Sequence, residues 1–169
     1  MSDDKPFFRF NPGAYDTGRS FKPSDEPCGV CARPSVWLYN GVLYAAGPQP
    51  TVCARCIADG RLDAHFGEAG FGFHDMALDE VEPELTEEIS SRTPGFATFN
   101  PFTWPVIDGV PLAFLGYGDD AGMWNIPAAR EAMVEAFMAL GDELAGPTSY
   151  ALVFRQVEGD RYRVWVDLD

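Results

Sequence analysis

Apolar and polar positions alternate differently along four stretches of the chain. The last stretch is the most regular. Ala129, Met133, Ala136, Phe137, Leu140 and Leu144 recur at intervals of three and four, which gives one apolar helical stripe. Asn125 is a good N-cap, Pro127 falls near the first helical position, and Gly146-Pro147 stops the run. A helix is therefore predicted from about Asn125 to Leu144. Beyond it, Tyr150–Arg155 and Arg161–Val166 read as two strands joined near Gly159-Asp160. In the second strand Tyr162, Val164 and Val166 alternate with Arg161, Arg163 and Trp165, so one face is apolar.

The other three stretches are less periodic. Residues 1–27 are rich in Pro, Gly and Asp but carry Phe7, Phe8, Phe10, Tyr15 and Phe21. So many rings do not suit a disordered tail, and an irregular arm that packs onto the body is expected. In residues 28–66, Ser35–Tyr39 and Val42–Tyr44 flank Asn40-Gly41, a hairpin signal because both turn residues of a tight hairpin need positive φ. Ile57 to Phe66 can begin a short helix. Residues 67–124 hold many Gly and Pro residues. One short helix is expected between Glu80 and Ser91, with Pro83 in its first turn and Leu85 and Ile89 on one face. The rest reads as loops with short strands. The resulting organisation is an aromatic arm (1–27), a metal module (28–66) and an α+β body (67–169), the last two forming one compact unit.

Composition narrows the function. With 169 residues the chain makes one domain, or one domain with a small module. Lys plus Arg number 12 against 26 Asp plus Glu, a formal net charge of −14. Nucleic-acid affinity rests on Lys and Arg displacing counterions, so no nucleic-acid partner is expected. An anionic membrane surface is excluded on the same ground. The expected partner is a protein, and a basic one. No stretch is apolar for long enough to span a bilayer. Met1-Ser2-Asp3-Asp4-Lys5-Pro6 is polar and acidic where a secretory signal would be basic and then apolar, so a cytoplasmic location is expected.

The strongest chemical signal is Cys28-Gly-Val-Cys31 followed by Cys53-Ala-Arg-Cys56. Two residues between thiols let one turn direct both sulfurs at one ion, and a second such pair completes a tetrahedron. In a reducing compartment such pairs are metal ligands more often than disulfides. Zn²⁺ suits four thiolates, and one structural zinc held by Cys28, Cys31, Cys53 and Cys56 is expected. Spacing alone leaves an iron site open. A CxxC that leads into a helix fits a treble clef better than a plain zinc ribbon. Four thiolates and one Zn²⁺ would take the net charge to about −16, and Arg33 and Arg55 lie beside the ligands in sequence.

Other chemistry is sparse. His65 lies near Asp63 and His74 precedes Asp75, yet neither has a third partner at a fixed spacing. No nucleophile elbow, phosphate loop, dinucleotide fingerprint or HExxH is present.

Several strings together resemble the CbrC family: Asn11-Pro-Gly-Ala-Tyr-Asp-Thr-Gly18, Cys53-Ala-Arg-Cys-Ile-Ala-Asp-Gly60, Arg92-Thr-Pro-Gly-Phe96 and Tyr150-Ala-Leu-Val-Phe-Arg155 with Asp167. The resemblance runs over nearly the whole chain. It implies a bacterial cytoplasmic protein with a Cys-rich metal module and a link to tolerance of nuclease-type colicins. Where that family carries four further cysteines, this chain reads Ile107-Asp108, Leu112, Gln156 and Gly159. The resemblance therefore implies one zinc here and the loss of a second site.

Two functional readings follow. One is a zinc-containing binding or stress-tolerance protein without catalysis that engages a basic partner as an immunity protein or inhibitor would. The other is a hydrolytic enzyme using His65, His74 and nearby carboxylates.

Overall fold

The computed structural model describes residues 5–99, 101–141 and 146–167. Met1–Asp4 and Leu144, both used in the sequence reading, lie outside them. Among the described residues the protein is a mixed α+β structure with four helices and several small sheets. The chain forms two compact units. The first comprises Met1–Asp75 and Glu82–Ala97, the second Met76–Val81 and Thr98–Asp169. No helix among the described residues is long and apolar enough to cross a membrane.

In the first unit, β1 (Phe21–Pro23) pairs antiparallel with β2 (Trp37–Tyr39), and β3 (Tyr44–Ala45) pairs antiparallel with β4 (Phe71–Gly72). Helices α1 (Ala54–Ala58) and α2 (Arg61–Phe66) follow the second Cys pair, and α3 (Pro83–Arg92) starts with Pro at its first turn, as expected. The core gathers Phe8, Phe21, Leu38, Leu43, Val52, Ile57, Leu62 and Phe73 around the buried cysteines. The N-terminal arm contributes directly. Phe8, Phe10 and Phe21 are buried and Tyr15 is half-buried, while Phe7 stays 77% exposed. Asn11 fastens the arm: it is fully buried, and its Nδ2 donates to Ser20 Oγ at 3.1 Å and to the Pro94 carbonyl at 3.0 Å. Arg9 adds a bidentate pair with Glu88 on α3 at 2.8 and 2.6 Å.

The hairpin expected at Asn40-Gly41 does not form. β2 and β3 pair with other strands, and neither Asn40 nor Gly41 has a positive φ. Gly41 is needed for space instead. A Cβ there would lie 2.4 Å from Tyr39 Oη, which donates to the Val42 carbonyl at 3.0 Å. The loop thus folds over its own tyrosine ring and leaves β2 free to meet β1.

The second unit is built on a three-stranded antiparallel sheet in the order β11 (Tyr162–Val166), β10 (Ala151–Arg155), β9 (Ala113–Tyr117). The two C-terminal strands fall where the alternation places them. Tyr162, Val164 and Val166 face α4 (Pro127–Ala139), which buries Ala129, Met133 and Phe137 against them and against Ala151 and Val153. Phe154, on the alternate face of β10, contacts Phe102, Trp104 and Phe114 with ring centroids 5.5–6.3 Å apart. Residues 151–154 are buried throughout, as a central strand covered on both sides must be. Four short strands precede the sheet. β5 (Met76–Ala77) pairs parallel with β6 (Phe102–Thr103), and β7 (Val106–Ile107) forms a hairpin with β8 (Val110–Pro111).

Helix α4 is shorter than its stripe implied. Its N-cap is Ile126 rather than Asn125, and it ends at Ala139, with Leu140 as C-cap and Gly141 after it at φ 79°. Leu140 is therefore 57% exposed instead of continuing the buried face.

Candidate metal centre

The four cysteines converge. Their Sγ atoms all lie within 4.8 Å of one another, with Cys28, Cys53 and Cys56 buried and Cys31 half-buried. Cys28 Sγ is 3.8 Å from Cys56 Sγ, and Cys31 Sγ is 3.9 Å from Cys53 Sγ. Such separations fit four thiolates on a tetrahedral ion with metal–sulfur bonds of about 2.3 Å.

The backbone explains the convergence. At the first pair the chain turns back on itself: Cys28 N–H donates to the Arg33 carbonyl at 2.9 Å, Ala32 N–H donates to the Cys28 carbonyl at 2.8 Å, and Ala32 takes φ 58°. Gly29 lies against the segment before the second pair, its N–H reaching the Thr51 carbonyl at 2.8 Å and Thr51 Oγ1 at 3.0 Å. Cys53 then caps α1 and Cys56 sits in its first turn. Two backbone N–H groups, Val30 at 3.4 Å and Cys53 at 3.3 Å, point at Cys28 Sγ. Hydrogen bonds of this kind favour the charged sulfur.

The thiols respond to these surroundings. Burial raises the Cys28 thiol, but the backbone N–H groups of Cys31, Cys53 and Val30 outweigh it and bring it down to about 7. Burial pushes Cys53 up to about 11 and Cys56 still further up. Metal-free, the cluster therefore holds protons at neutral pH. Loading a divalent ion must release them, so affinity rises with pH and falls on acidification.

A family model described as "Uncharacterised protein family (UPF0167)" matches residues 6–163. The chain belongs to UPF0167. Two curated UPF0167 proteins, from Mycobacterium bovis and from a Mycobacterium tuberculosis strain, are each 32% identical to it over 133 residues, covering 76% of this chain and 68% of theirs. A UPF0167 protein of Pseudomonas aeruginosa is 32% identical over 129 residues, covering 75% of this chain and 69% of its own. No solved structure matches. These findings correct the resemblance to the CbrC family: the strings that carried it belong to a UPF0167 chain. The absent second set of cysteines was counted against the other family and falls with it.

The remaining candidates in this UPF0167 chain do not assemble. Among the described residues, the four cysteines are the one convergent group of three or more His, Cys, Asp or Glu side chains. His65 is exposed on α2, edge-on to Phe66 at 4.9 Å, and His74 packs its ring on Phe96 at 4.9 Å. Arg33 and Arg55 are both exposed.

His74 makes a testable contribution to stability. Burial lowers its imidazole to about 3, whereas in the unfolded chain it titrates near 6.5. The folded state prefers neutral His74, so its contribution is complete above pH 6.5 and is lost as the pH falls from 6.5 towards 3. At pH 5 the loss amounts to about 2 kcal/mol. Relative to wild type, His74→Gln should flatten the decline of the thermal midpoint between pH 7 and 5. Parallel declines would show that another group drives the acid sensitivity.

Proposed function

We propose that Cys28, Cys31, Cys53 and Cys56 hold one structural Zn²⁺ and that the protein works by binding a basic protein partner rather than by catalysis. The observation that carries this reading is the convergence of four largely buried thiols within 4.8 Å. Four thiolates fill all the positions of a tetrahedral zinc and leave none for water, so such an ion stabilises a fold and activates nothing. The turn at Cys28–Cys31 and the capping of α1 by Cys53 support a treble-clef-like module, with strands that pair elsewhere in place of a hairpin. A net charge of −14 favours fast capture of a positively charged protein, as an immunity protein or inhibitor requires, and disfavours nucleic acid. The separate settings of His65 and His74 support binding over histidine-based hydrolysis.

The test has two parts. Elemental analysis of the purified protein should find about one zinc per chain; iron, or no metal, defeats the metal reading. For the binding part, the chain is immobilised and the partner captured from native lysate is identified by mass spectrometry. Its association rate should fall with salt and fall further for Glu80→Lys with Glu84→Lys, while His65→Gln with His74→Gln leaves it unchanged. Loss of activity in the histidine variant alone would overturn the binding reading.

A further inference from the structure

The N-terminal arm and β2 build an arrangement that packing alone does not require. Tyr15 and Trp37 stand nearly perpendicular, with centroids 5.2 Å apart and an interplanar angle of 75°. Between their faces sits an ammonium group: Lys5 Nζ lies 4.3 Å from the Trp37 centroid and 5.4 Å from that of Tyr15. Two aromatic faces at right angles around one cation make the minimal cage by which proteins recognise alkylammonium groups, since each ring turns its negative π face to the charge.

The walls are fixed before any ligand arrives. Tyr15 stacks on Phe21 at 4.9 Å, Phe21 stacks on Phe8 at 5.5 Å, and both phenylalanines are buried. Tyr15 Oη donates to the Pro6 carbonyl at 3.0 Å, which ties the ring to the segment that carries Lys5. Trp37 belongs to β2, in register opposite Pro23. Its indole N–H is buried and meets no acceptor among the described residues. A tryptophan kept purely for structure ordinarily finds one. Lys5 itself is exposed, so the cage opens to solvent where the lysine enters.

The geometry points to a binding site for an alkylammonium group at Tyr15 and Trp37, with Lys5 as a tethered internal occupant that an external cation displaces. The ligand chemistry is a cationic ammonium on an aliphatic stem. It is supplied either by a lysine side chain of a protein or by a small quaternary amine. The site stands on its own geometry and does not depend on the metal or on the binding reading above.

The test follows the Trp37 indole N–H by proton–nitrogen NMR in the full-length protein, the resonance being identified from its loss in Trp37→Phe. The probes are tetramethylammonium chloride, Nα-acetyl-lysine methylamide and the neutral isostere 3,3-dimethylbutan-1-ol, each against sodium chloride at equal ionic strength. In Lys5→Ala, tetramethylammonium should shift the resonance saturably. Its dissociation constant should be about threefold to tenfold lower than in wild type, because a tethered competitor has been removed. The neutral alcohol should leave the resonance in place. A saturable shift with the lysine amide as well assigns the site to lysine side chains, and a shift with tetramethylammonium alone assigns it to quaternary amines. Lys5 sits on the surface, so its alanine variant keeps the fold. If that variant binds neither cation, or binds the alcohol as well as the ammonium, Lys5 merely clamps the arm and the proposal is overturned.

Discussion

Cys56→Ser is expected to leave the first unit unfolded. Cys56 is fully buried, with Cys28 Sγ at 3.8 Å. A structural zinc contributes on the order of 10 kcal/mol to a small module, comparable to the whole stability of an ordinary domain. The cluster has little to put in its place. Without a cation, four sulfurs within 4.8 Å cannot all ionise, and the same cysteines form the centre of the core with Val52, Ile57 and Leu62. The measurement is thermal unfolding with limited proteolysis mapped by mass spectrometry. New cleavage between residues 28 and 66, in the variant and in wild type treated with a strong chelator, is the expected outcome. Wild-type melting in either sample would mean that the cysteines do not hold a folding metal.

Gly95→Ala should give the second large effect, for a reason unrelated to metal. A Cβ at Gly95 would lie 2.5 Å from the Phe73 carbonyl oxygen and 2.5 Å from Tyr39 Oη. Neither can retreat freely. Tyr39 is wedged between Phe21 and Phe73, and burial raises its phenol well above the usual tyrosine range. Gly95 itself is held where its carbonyl accepts from Ser20 Oγ at 2.7 Å. Overpacking of this kind costs about 3 kcal/mol, or roughly a 10 °C fall in thermal midpoint. Gly72→Ala is the control, since its Cβ would meet nothing closer than 3.7 Å. Equal midpoints for Gly95→Ala and wild type would show that the backbone at Phe73 yields easily.

What the sequence disclosed depended on how local the cause was. The cysteine cluster, the start of α3 and the C-terminal strands were legible because spacing, a proline and strict alternation act over a few residues. The Asn40-Gly41 reading failed where a comparable dipeptide elsewhere formed its turn. Asp108 and Gly109, with φ 54° and 76°, do form the two-residue turn between β7 and β8, though they stand in a stretch read as loops with short strands. At Asn40 the pull of β1 on β2 and the bulk of the Tyr39 ring outweighed the dipeptide's preference. The sheet's third strand, Ala113–Tyr117, lies in the stretch read only as loops with short strands, because it lacks strict alternation and its partner lies far along the chain, Phe114 opposite Phe154. The Lys5–Tyr15–Trp37 cage had no signature either. Its members are scattered over more than thirty positions, and the arm's rings announced only that they would be buried.

The division of the chain into Met1–Asp75 with Glu82–Ala97, and Met76–Val81 with Thr98–Asp169, has a bearing on inheritance and synthesis. The polypeptide passes from one unit to the other at three junctions, so no single break in the gene separates them. A fragment ending at Asp75 lacks α3 and the Glu88 partner of Arg9. One ending at Ala97 carries Met76 and Ala77 without Phe102 and Thr103, the strand they pair with. Neither unit can therefore be shuffled between genes as a portable cassette by one recombination event. On the ribosome, the cysteine-bearing unit has all its parts only after residue 97 has emerged, more than forty residues after its last cysteine, Cys56.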